Sequence, residues 1–340
     1  MIEKAARAAT LDQRGPMYPQ PSEPHHVRDG RDSRSPGHSR RALLGLGLGA
    51  AVAVTTATGG TAHAASATGA TGGADPHRLL AALEQEHAAR LGVYARNLTT
   101  GRTVRYRADE PFPICSVFKT VAVAAVLRDL DRDGEFLARR IRYTQADIDR
   151  AGGAPVTGEP GNLANGMTVA QLCAAAIDHS DNTAANLLLH ELGGPTAVTR
   201  FCRSIGDGVT RLDRWEPELN SAEPDRRTDT TSPRAIARTY ERLALGRALP
   251  PAKRDQLLAW LRANTTSTHR FREGLPQDWA LADKTGTGSY GTTNDVGIAW
   301  TPAGAPVLLA VLATKPTDPA APKDEPLVAR TAALLAAALA

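Results

Sequence analysis

The chain has 340 residues, of which 42% are hydrophobic, and it carries a formal net charge of +4 at pH 7. This length allows one large domain or two modest ones with a real core, and the composition argues against membrane and fibrous proteins. Residues 1–41 hold eight Lys or Arg and five Asp or Glu, while residues 42–64 hold none, so three of the four net positive charges precede residue 65. The near-neutral remainder offers no electrostatic footprint for nucleic acid.

The beginning of the chain has the features of an export signal. The pair Arg40–Arg41 precedes an apolar run rich in Ala and Gly at 45–54, and Ala-His-Ala at 62–64 offers a small-residue cleavage site. Paired arginines are typical of the twin-arginine route. A basic tail beside a buried helix is the alternative, but glycines in the apolar run weaken a helix. We predict that residues 1–64 are a leader and that the mature protein is secreted without a stable membrane anchor.

The rest of the chain divides into a short linker and one folded body. Residues 65–75 are rich in Ala, Gly, Ser and Thr, a composition typical of flexible linkers. Apolar residues at helical spacing begin at Pro76, so we place the folded domain at 76–340. The start of translation stays open between Met1 and Met17.

Apolar periodicity predicts strands at both ends of the folded body and helices between them. The predicted elements are helix Pro76–Arg90, strands Leu91–Asn97 and Thr103–Tyr106, helices Val117–Arg132, Val169–His179, Thr183–Leu192, Thr196–Ile205, Pro233–Leu245 and Pro251–Asn264, strands Trp279–Thr285, Gly297–Thr301 and Val307–Ala313, and helix Leu327–Ala338. This order predicts an α/β (α+β) fold of two lobes. One lobe is an antiparallel sheet flanked by helices and built from both chain ends, and the other is an inserted all-helical lobe. A cleft between the lobes is the natural place for a site.

Cysteine and histidine usage bears on disulfides and metals. The three cysteines, Cys115, Cys173 and Cys202, are an odd number in apolar or helical contexts, which predicts free thiols. The nine histidines show no ligand spacing. We therefore expect neither a metal nor any other cofactor.

A hydroxyl and an amine lie three residues apart in Ser116-Val117-Phe118-Lys119. At the start of a helix these two side chains would share one face, and the free backbone N–H groups there can stabilise an oxyanion. The arrangement suits a serine that is activated by a lysine. Ser-x-x-Lys is expected about once by chance in a chain of this length, so the motif alone is more typical of a helix-start serine with a solvated lysine.

Two further motifs accompany the first one. Ser180-Asp181-Asn182 lies between two predicted helices, and Lys284-Thr285-Gly286-Thr287-Gly288 ends a predicted strand. Alone, the former is also a good helix N-cap and the latter an ordinary strand exit. In this order and spacing the three motifs resemble those of the penicillin-recognising serine enzymes, and more narrowly of the class A β-lactamases.

The segment Arg214–Asn220, followed by Asp229-Thr230-Thr231, resembles the Ω-shaped loop that class A β-lactamases place beside the nucleophile. Penicillin-binding peptidases share the three motifs but lack the glutamate of this loop. The resemblance implies that Glu216, with Asn220, activates the water that hydrolyses the acyl-enzyme. It also implies that Arg214 and Asp229 pair at the neck of the loop.

The resemblance implies a role for each matching residue. The implied catalytic residues are Ser116 as nucleophile, Lys119 as proton acceptor, Ser180 as proton relay to the departing nitrogen and Glu216 as base. The implied substrate-binding residues are Asn182 for the side-chain amide, Asn220 for the water, and Arg270, Lys284, Thr285, Gly286 and Thr287 around the substrate carboxylate. The backbone N–H groups of Ser116 and Thr287 would form the oxyanion hole. Whether Lys119 or Glu216 is the acylation base stays open, as does Arg272 in place of Arg270.

Two segments depart from the family pattern. Residues 149–157 form a longer, glycine-rich stretch without the aromatic residue that the family normally places at the cleft entrance. Some class A carbapenemases link the cysteine before the nucleophile to a second one at the end of the Lys-Thr-Gly strand. Gly288 stands at that position, so Cys115 lacks this partner. We therefore expect hydrolysis of penicillins and some cephalosporins, but not efficient hydrolysis of carbapenems.

The function expected from the resemblance is that of a monomeric serine β-lactamase acting on small-molecule β-lactams and conferring antibiotic resistance. A D-alanyl-D-alanine peptidase is the enzymatic alternative, and it would stay acylated by penicillin. A non-catalytic β-lactam-binding sensor or a cell-wall binding module is the other alternative, but such a sensor would need a membrane span to signal.

Overall fold

The computed structural model describes residues 75–340. The predicted leader and almost all of the predicted linker lie outside this range. The helices are α1 Pro76–Glu86, α2 Phe118–Ala125, α3 Glu135–Ala138, α4 Gln145–Ala151, α5 Pro160–Asn165, α6 Val169–Asp178, α7 Asn182–Leu192, α8 Thr196–Ser204, α9 Pro233–Ala244, α10 Pro251–Ala263, α11 Phe271–Gly274 and α12 Glu325–Leu339. Short 3-10 helices at Cys115–Val117 and Glu218–Ser221 and a π-helical turn at Val126–Leu130 complete the helical elements of this part of the chain.

Within residues 75–340, nine strands form one large sheet and two small ones. The strands are β1 Arg90–Asn97, β2 Thr103–Tyr106, β3 Phe112–Pro113, β4 Arg140–Ile141, β5 Met167–Thr168, β6 Thr230–Thr231, β7 Ala280–Gly288, β8 Thr292–Trp300 and β9 Pro306–Thr314. The large sheet is antiparallel with the order β2-β1-β9-β8-β7. β3 pairs with β6, and β4 pairs with β5. The large sheet thus combines strands from both chain ends, and the predicted α/β architecture is confirmed.

The central strand β9 explains why helices cover both faces of the large sheet. Its sequence Val-Leu-Leu-Ala-Val-Leu-Ala at 307–313 is apolar throughout, which is typical of a strand buried on both sides. The even-numbered residues of this run pack into the core shared with α2, α6, α7 and α9. The odd-numbered residues pack into a second core with α1 and α12. Successive side chains of a strand point to opposite faces, so one strand anchors both cores.

The observed boundaries differ from the predicted ones chiefly at β8. This strand begins at Thr292, five residues before the predicted start at Gly297. Its first residues, Thr-Thr-Asn-Asp, are polar yet fully buried, so they carry no apolar pattern. Hydrogen bonds make this burial possible, since Thr292 donates to Ser289 O and Asn294 donates to Pro113 O.

Candidate active site

Ser116 lies in the 3-10 helix that leads directly into α2. The preceding residue, Cys115, has a φ of +44°, a left-handed conformation that turns the chain from β3 into the helix. The Ser116 side chain is nearly buried, and its Oγ donates to Oε1 of Glu216 at 3.4 Å. The hydroxyl therefore stands at a helix N-terminus with a carboxylate as its acceptor.

Lys119 lies one helical turn after Ser116 and is fully buried. Its Nζ donates to Ser180 O at 2.7 Å and to Asn182 Oδ1 at 2.7 Å, and it lies 3.1 Å from Glu216 Oε1. Burial lowers the pKa of Lys119, against the charge of Glu216, which favours the ammonium form. An ammonium has three N–H donors, and three close acceptors surround this one.

The segment Ser180-Asp181-Asn182 serves both as a helix cap and as part of the site. Asp181 is buried, and its carboxylate accepts from Ala184 N, so Asp181 is the N-cap of α7. The helix-cap role that the sequence allowed for this motif is therefore present. It also accepts from the backbone and side chain of Thr157. Ser180 has a φ of +58°, and its Oγ lies 3.4 Å from Lys119 Nζ. The cap thereby fixes the two flanking polar residues beside Lys119.

Glu216 enters the site from the loop that carries the 3-10 helix Glu218–Ser221, and it is almost completely buried. Its Oε2 accepts from Asn220 Nδ2, while Oε1 faces Ser116 and Lys119. A residue that the sequence analysis missed also holds Glu216. Asn186 in α7 accepts from Glu216 N at 3.0 Å and donates to Glu216 O at 2.9 Å.

The neck of this loop closes as predicted. Arg214 Nε donates to Asp229 Oδ2, and the backbone N–H groups of Asp213 and Arg214 donate to Asp229 Oδ1. Asp229 is 1% exposed, so the pair holds the loop from within the protein. The predicted ion pair between Arg214 and Asp229 is confirmed.

Strand β7 brings the third motif against the nucleophile. Lys284 is fully buried, and its Nζ donates to Thr285 O at 2.9 Å. Burial, together with the charge of Lys119, lowers the pKa of Lys284 well below its usual value. A Cβ at Gly286 would lie 3.1 Å from Ile114 O and 3.2 Å from the Cβ of Cys115. Glycine at 286 therefore lets β7 approach the segment that carries Ser116.

Of the two candidate arginines, Arg270 lines the cleft. It is 3% exposed, and its guanidinium donates from Nη1 to Gly286 O and Asn294 O and from Nη2 to Thr287 Oγ1. The more exposed Arg272 instead donates to backbone carbonyl groups of residues 262 and 264. The rigid fork of Arg270 is thus fixed beside the end of β7.

A cavity of about 460 Å³ joins these groups. Its lining residues are Ser116, Ser180, Asn182, Asn220, Thr266, Arg270, Thr285, Gly286, Thr287, Lys323 and Glu325. Lys119, Glu216 and Lys284 do not line it, because they are fully buried beside it. A larger groove of about 900 Å³ runs between α1, β2 and α12, but its lining is mostly apolar and includes no serine, cysteine or lysine. The chemistry therefore belongs to the smaller cavity.

The structure places the two departures from the family pattern, the glycine-rich segment 149–157 and Gly288. The glycine-rich segment packs on the start of α7, because Gly153 O accepts from the backbone N–H groups of Asn182 and Thr183. Within residues 75–340, which include all three cysteines, no disulfide forms. A Cβ at Gly288 would lie 2.8 Å from Cys115 Sγ, so the two positions are direct neighbours.

Between residues 75 and 340, no helix is both long and apolar enough to cross a membrane. The same part of the chain contains no cluster of three or more His, Cys, Asp or Glu side chains that could hold a metal ion.

Comparisons with known proteins agree on one family. Residues 76–339 match the model of the β-lactamase enzyme family. A β-lactamase of Streptomyces lavendulae is 65% identical over 301 residues, which cover 88% of this chain and 97% of the relative. The solved β-lactamase of Streptomyces albus G is 64% identical with a TM-score of 0.78, covering 78% of this chain and all of that one. A mutant of the last common ancestor of Gram-negative bacteria β-lactamase class A is 49% identical with a TM-score of 0.73, covering 78% and 98%.

Proposed function

Because this chain belongs to the class A serine β-lactamases, we propose that it hydrolyses penicillins and some cephalosporins through an acyl-enzyme on Ser116. A water activated by Glu216 then cleaves the acyl-enzyme. The observation that carries this proposal is the position of the Glu216 carboxylate. It is buried, one oxygen accepts from Ser116 Oγ, and the other accepts from Asn220 Nδ2.

In the acylation step, Ser116 Oγ attacks the lactam carbonyl carbon and its proton passes to Glu216. The contacts favour Glu216 over Lys119 as this base, because the hydroxyl donates to Glu216 and the N–H donors of Lys119 already have acceptors. Lys119 could accept a proton only after losing one. The backbone N–H groups of Ser116 and Thr287 would stabilise the oxyanion.

The opened ring needs a proton on its nitrogen when the C–N bond breaks. Ser180 supplies it from its hydroxyl and regains one from Lys119, whose Nζ is 3.4 Å from Ser180 Oγ. Lys119 regains its proton from Glu216, 3.1 Å away. The proton that left Ser116 thus reaches the nitrogen by relay, and Glu216 is again a carboxylate before the second step.

In the deacylation step, Glu216 takes a proton from a water that attacks the ester carbonyl, and Ser116 Oγ leaves with that proton. Asn220 supports this role, since its Oδ1 is buried, has no partner among the described residues and can accept from a water. General-base catalysis of this kind contributes about a hundredfold to ten-thousandfold to the rate.

Substrate binding would use the remaining polar groups of the cavity. Arg270, Thr285 and Thr287 present donors around one end of the cavity, where the substrate carboxylate would bind, and the buried Lys284 lies on the same strand as the two threonines. Asn182, from the Ser-Asp-Asn motif, lines the same cavity, and its amide could hold the side-chain amide of the substrate. The enzyme would need no cofactor, because every proton transfer has a protein partner.

We further propose that the protein is exported by its twin-arginine leader and acts outside the cell as a monomer. The leader motif and the small-residue cleavage site at 62–64 support the export. N-terminal sequencing of the secreted protein tests it and should give a start near Ala65. Secreted protein that still contained residues before Arg40 would contradict it.

The decisive experiment compares the mature protein with Glu216→Ala and Glu218→Ala. Glu218 is an exposed acid of the same loop, so its substitution controls for the loss of a charge. Turnover of penicillin G and a chromogenic cephalosporin is followed while intact-protein mass reports acylation of Ser116. Glu216→Ala should accumulate acyl-enzyme, and Glu218→Ala should turn over like the unaltered protein. An unaltered protein that acylates once and stops would instead be a penicillin-binding peptidase or sensor.

A further inference from the structure

An exposed histidine outside the proposed chemistry packs beside the loop that carries Glu216. His190 lies in the last turn of α7, and its ring stacks on the indole of Trp215. The two ring centroids are 4.4 Å apart, and the ring planes are inclined by 32°. Aromatic rings attract one another at about this separation. Because Trp215 immediately precedes Glu216, the stack lies one residue from the carboxylate that faces Ser116.

The stack continues a row of contacts along one face of α7. Asn182, Asn186 and His190 are spaced four residues apart, so they share that face of the helix. Asn182 lines the cavity, and Asn186 binds the backbone N–H and C=O of Glu216. His190 covers the preceding residue of the loop, Trp215. One helix therefore contacts the loop at two consecutive residues.

Trp215 joins the rest of the loop to the end of α7. Its side chain packs against the core shared with α2, α6, α7 and α9, and a Cβ at Gly194, just after the helix, would lie 3.8 Å from Trp215 Cζ2. Its carbonyl oxygen accepts from the backbone N–H of Leu219 in the 3-10 helix of the loop. A displacement of the indole would therefore move the backbone that carries Glu216.

The residue after Glu216 faces a glycine. A Cβ at Gly152 would lie 3.5 Å from the Cβ and Cγ of Pro217, so position 152 offers no side chain to support the loop there. The two hydrogen bonds of Asn186 fix the backbone at Glu216, but a loop that is held at one residue can still pivot about it. The stack on Trp215 is a second point of attachment, and it restrains this pivot.

We propose that His190 is a positioning residue for the catalytic base, and that by stacking on Trp215 it holds the loop with Glu216 within reach of Ser116. The imidazole contacts no reacting atom, so its effect passes through the indole. The stack requires a flat ring at position 190, and a phenylalanine side chain also supplies one. The inference rests on the proposed function, since it concerns the base of that reaction.

A set of variants of the mature enzyme tests this inference with penicillin G as the substrate. His190→Ala should lower kcat about twofold to tenfold, the range that the loss of an aromatic pair predicts, and acyl-enzyme should accumulate in the intact-protein mass spectrum. KM should change less than kcat, because the groups around the substrate carboxylate do not move. His190→Phe keeps the stack and should restore kcat. In a Trp215→Leu background, His190→Ala should have no further effect.

His77→Ala is the control variant. His77 is also exposed and pairs with an aromatic ring, that of Tyr106, at a centroid distance of 5.0 Å, but it lies on α1 and does not line the cleft. This variant should keep the kcat of the unaltered enzyme. A His190→Phe variant as slow as His190→Ala would overturn the inference. An equal loss of kcat in the Trp215→Leu background would do the same, since His190 would then not act through the indole.

A purely structural role of the stack would give a different result. His190→Ala would then lower Tm and leave kcat unchanged, and the inference would be wrong. Failure of the proposed function is distinguishable from both results. In that case the unaltered protein would show no steady turnover, or Glu216→Ala would turn over as fast as the unaltered protein, and the inference would fall with it.

Discussion

Asn186 binds both sides of the Glu216 residue, accepting from its backbone N–H and donating to its backbone C=O. A side chain on the rigid helix α7 thereby holds a loop residue thirty positions further along the chain. The amide fits because one side-chain amide offers both a donor and an acceptor. Asn186 is consequently a positioning residue for the carboxylate that faces Ser116.

Asn186→Ala tests this role. The substitution leaves the two backbone groups of Glu216 without partners, at a cost of about 1–3 kcal/mol each, so the carboxylate should lose its position. We expect kcat for penicillin G to fall about tenfold to a hundredfold. Acyl-enzyme should accumulate in the intact-protein mass spectrum. Asn165→Ala is the matched control, because Asn165 makes one exposed hydrogen bond within α5. Equal kinetics of the two variants would show that Asn186 does not position Glu216.

The sequence could predict the framework of the fold from local patterns, whereas the members of the candidate site were implied by the resemblance of three motifs and a loop to those of the family. The apolar run of β9 and the spacing of Ser116 and Lys119 are visible in a single segment. Asn186 was missed, although it lies four residues after Asn182 and so on the same face of the helix. Its partner comes from another segment, and no local pattern indicates such a contact.

The choice between Arg270 and Arg272 also depended on tertiary contacts. Both arginines flank Phe271, whose backbone N–H donates to Asp295 Oδ2 in β8. Carbonyl groups of β7 and β8 then accept from the Arg270 guanidinium. Since these acceptors come from two strands of the large sheet, sequence spacing alone could not decide which arginine faces the cleft.

Arg270→Ala should weaken the binding of any anionic β-lactam. The loss of charged hydrogen bonds of about 1.5–3 kcal/mol predicts a KM higher by about tenfold to a hundredfold, with a smaller change in kcat. Arg272→Ala should leave KM close to that of the unaltered enzyme. Steady-state kinetics with penicillin G give both values. A larger effect of Arg272→Ala would move the carboxylate site away from Arg270.

Gly288→Cys should introduce a disulfide with Cys115. The Cβ of residue 288 would lie 2.8 Å from Cys115 Sγ, but it would also lie 2.7 Å from Asn220 O, so the loop near Asn220 must shift slightly. The unaltered chain has three free cysteines, and the oxidised variant should show only two by thiol titration under denaturing conditions. Four titratable thiols would show that the backbone does not adjust.

The missing link between residues 115 and 288 also bears on the hydrolysis of carbapenems. We expect the unaltered enzyme to hydrolyse imipenem far more slowly than penicillin G, because the cleft lacks this disulfide and has glycines in place of the entrance aromatic. Turnover of both substrates by the same preparation measures the ratio. Imipenem turnover as fast as that of penicillin G would contradict the expectation.

Two buried carboxyl groups below the cleft predict how stability depends on pH. Asp283 in β7 and Asp295 in β8 are fully buried, and the Oδ1 atom of each has no hydrogen-bond partner among the described residues. Burial raises the pKa of Asp283, and burial together with the charge of Asp283 raises the pKa of Asp295 well above its usual value. Arg270, Arg272 and Asn264 face the pair and only partly oppose this shift.

A carboxyl group with a raised pKa in the folded protein binds more protons there than in the unfolded chain above about pH 4. The stability that this group contributes is therefore complete at lower pH and is lost as the pH rises. Asp295→Asn removes the titration, yet its Oδ1 can still accept from Phe271 N and its amide can donate to Asp283. The Tm of Asp295→Asn is compared with that of the unaltered protein at pH 4 and at pH 7. At pH 7 the variant should unfold at a temperature at least about 2 °C higher, the shift that 1 kcal/mol causes in a domain of this size. A gain that is equal at both pH values would show that the pair does not share a proton.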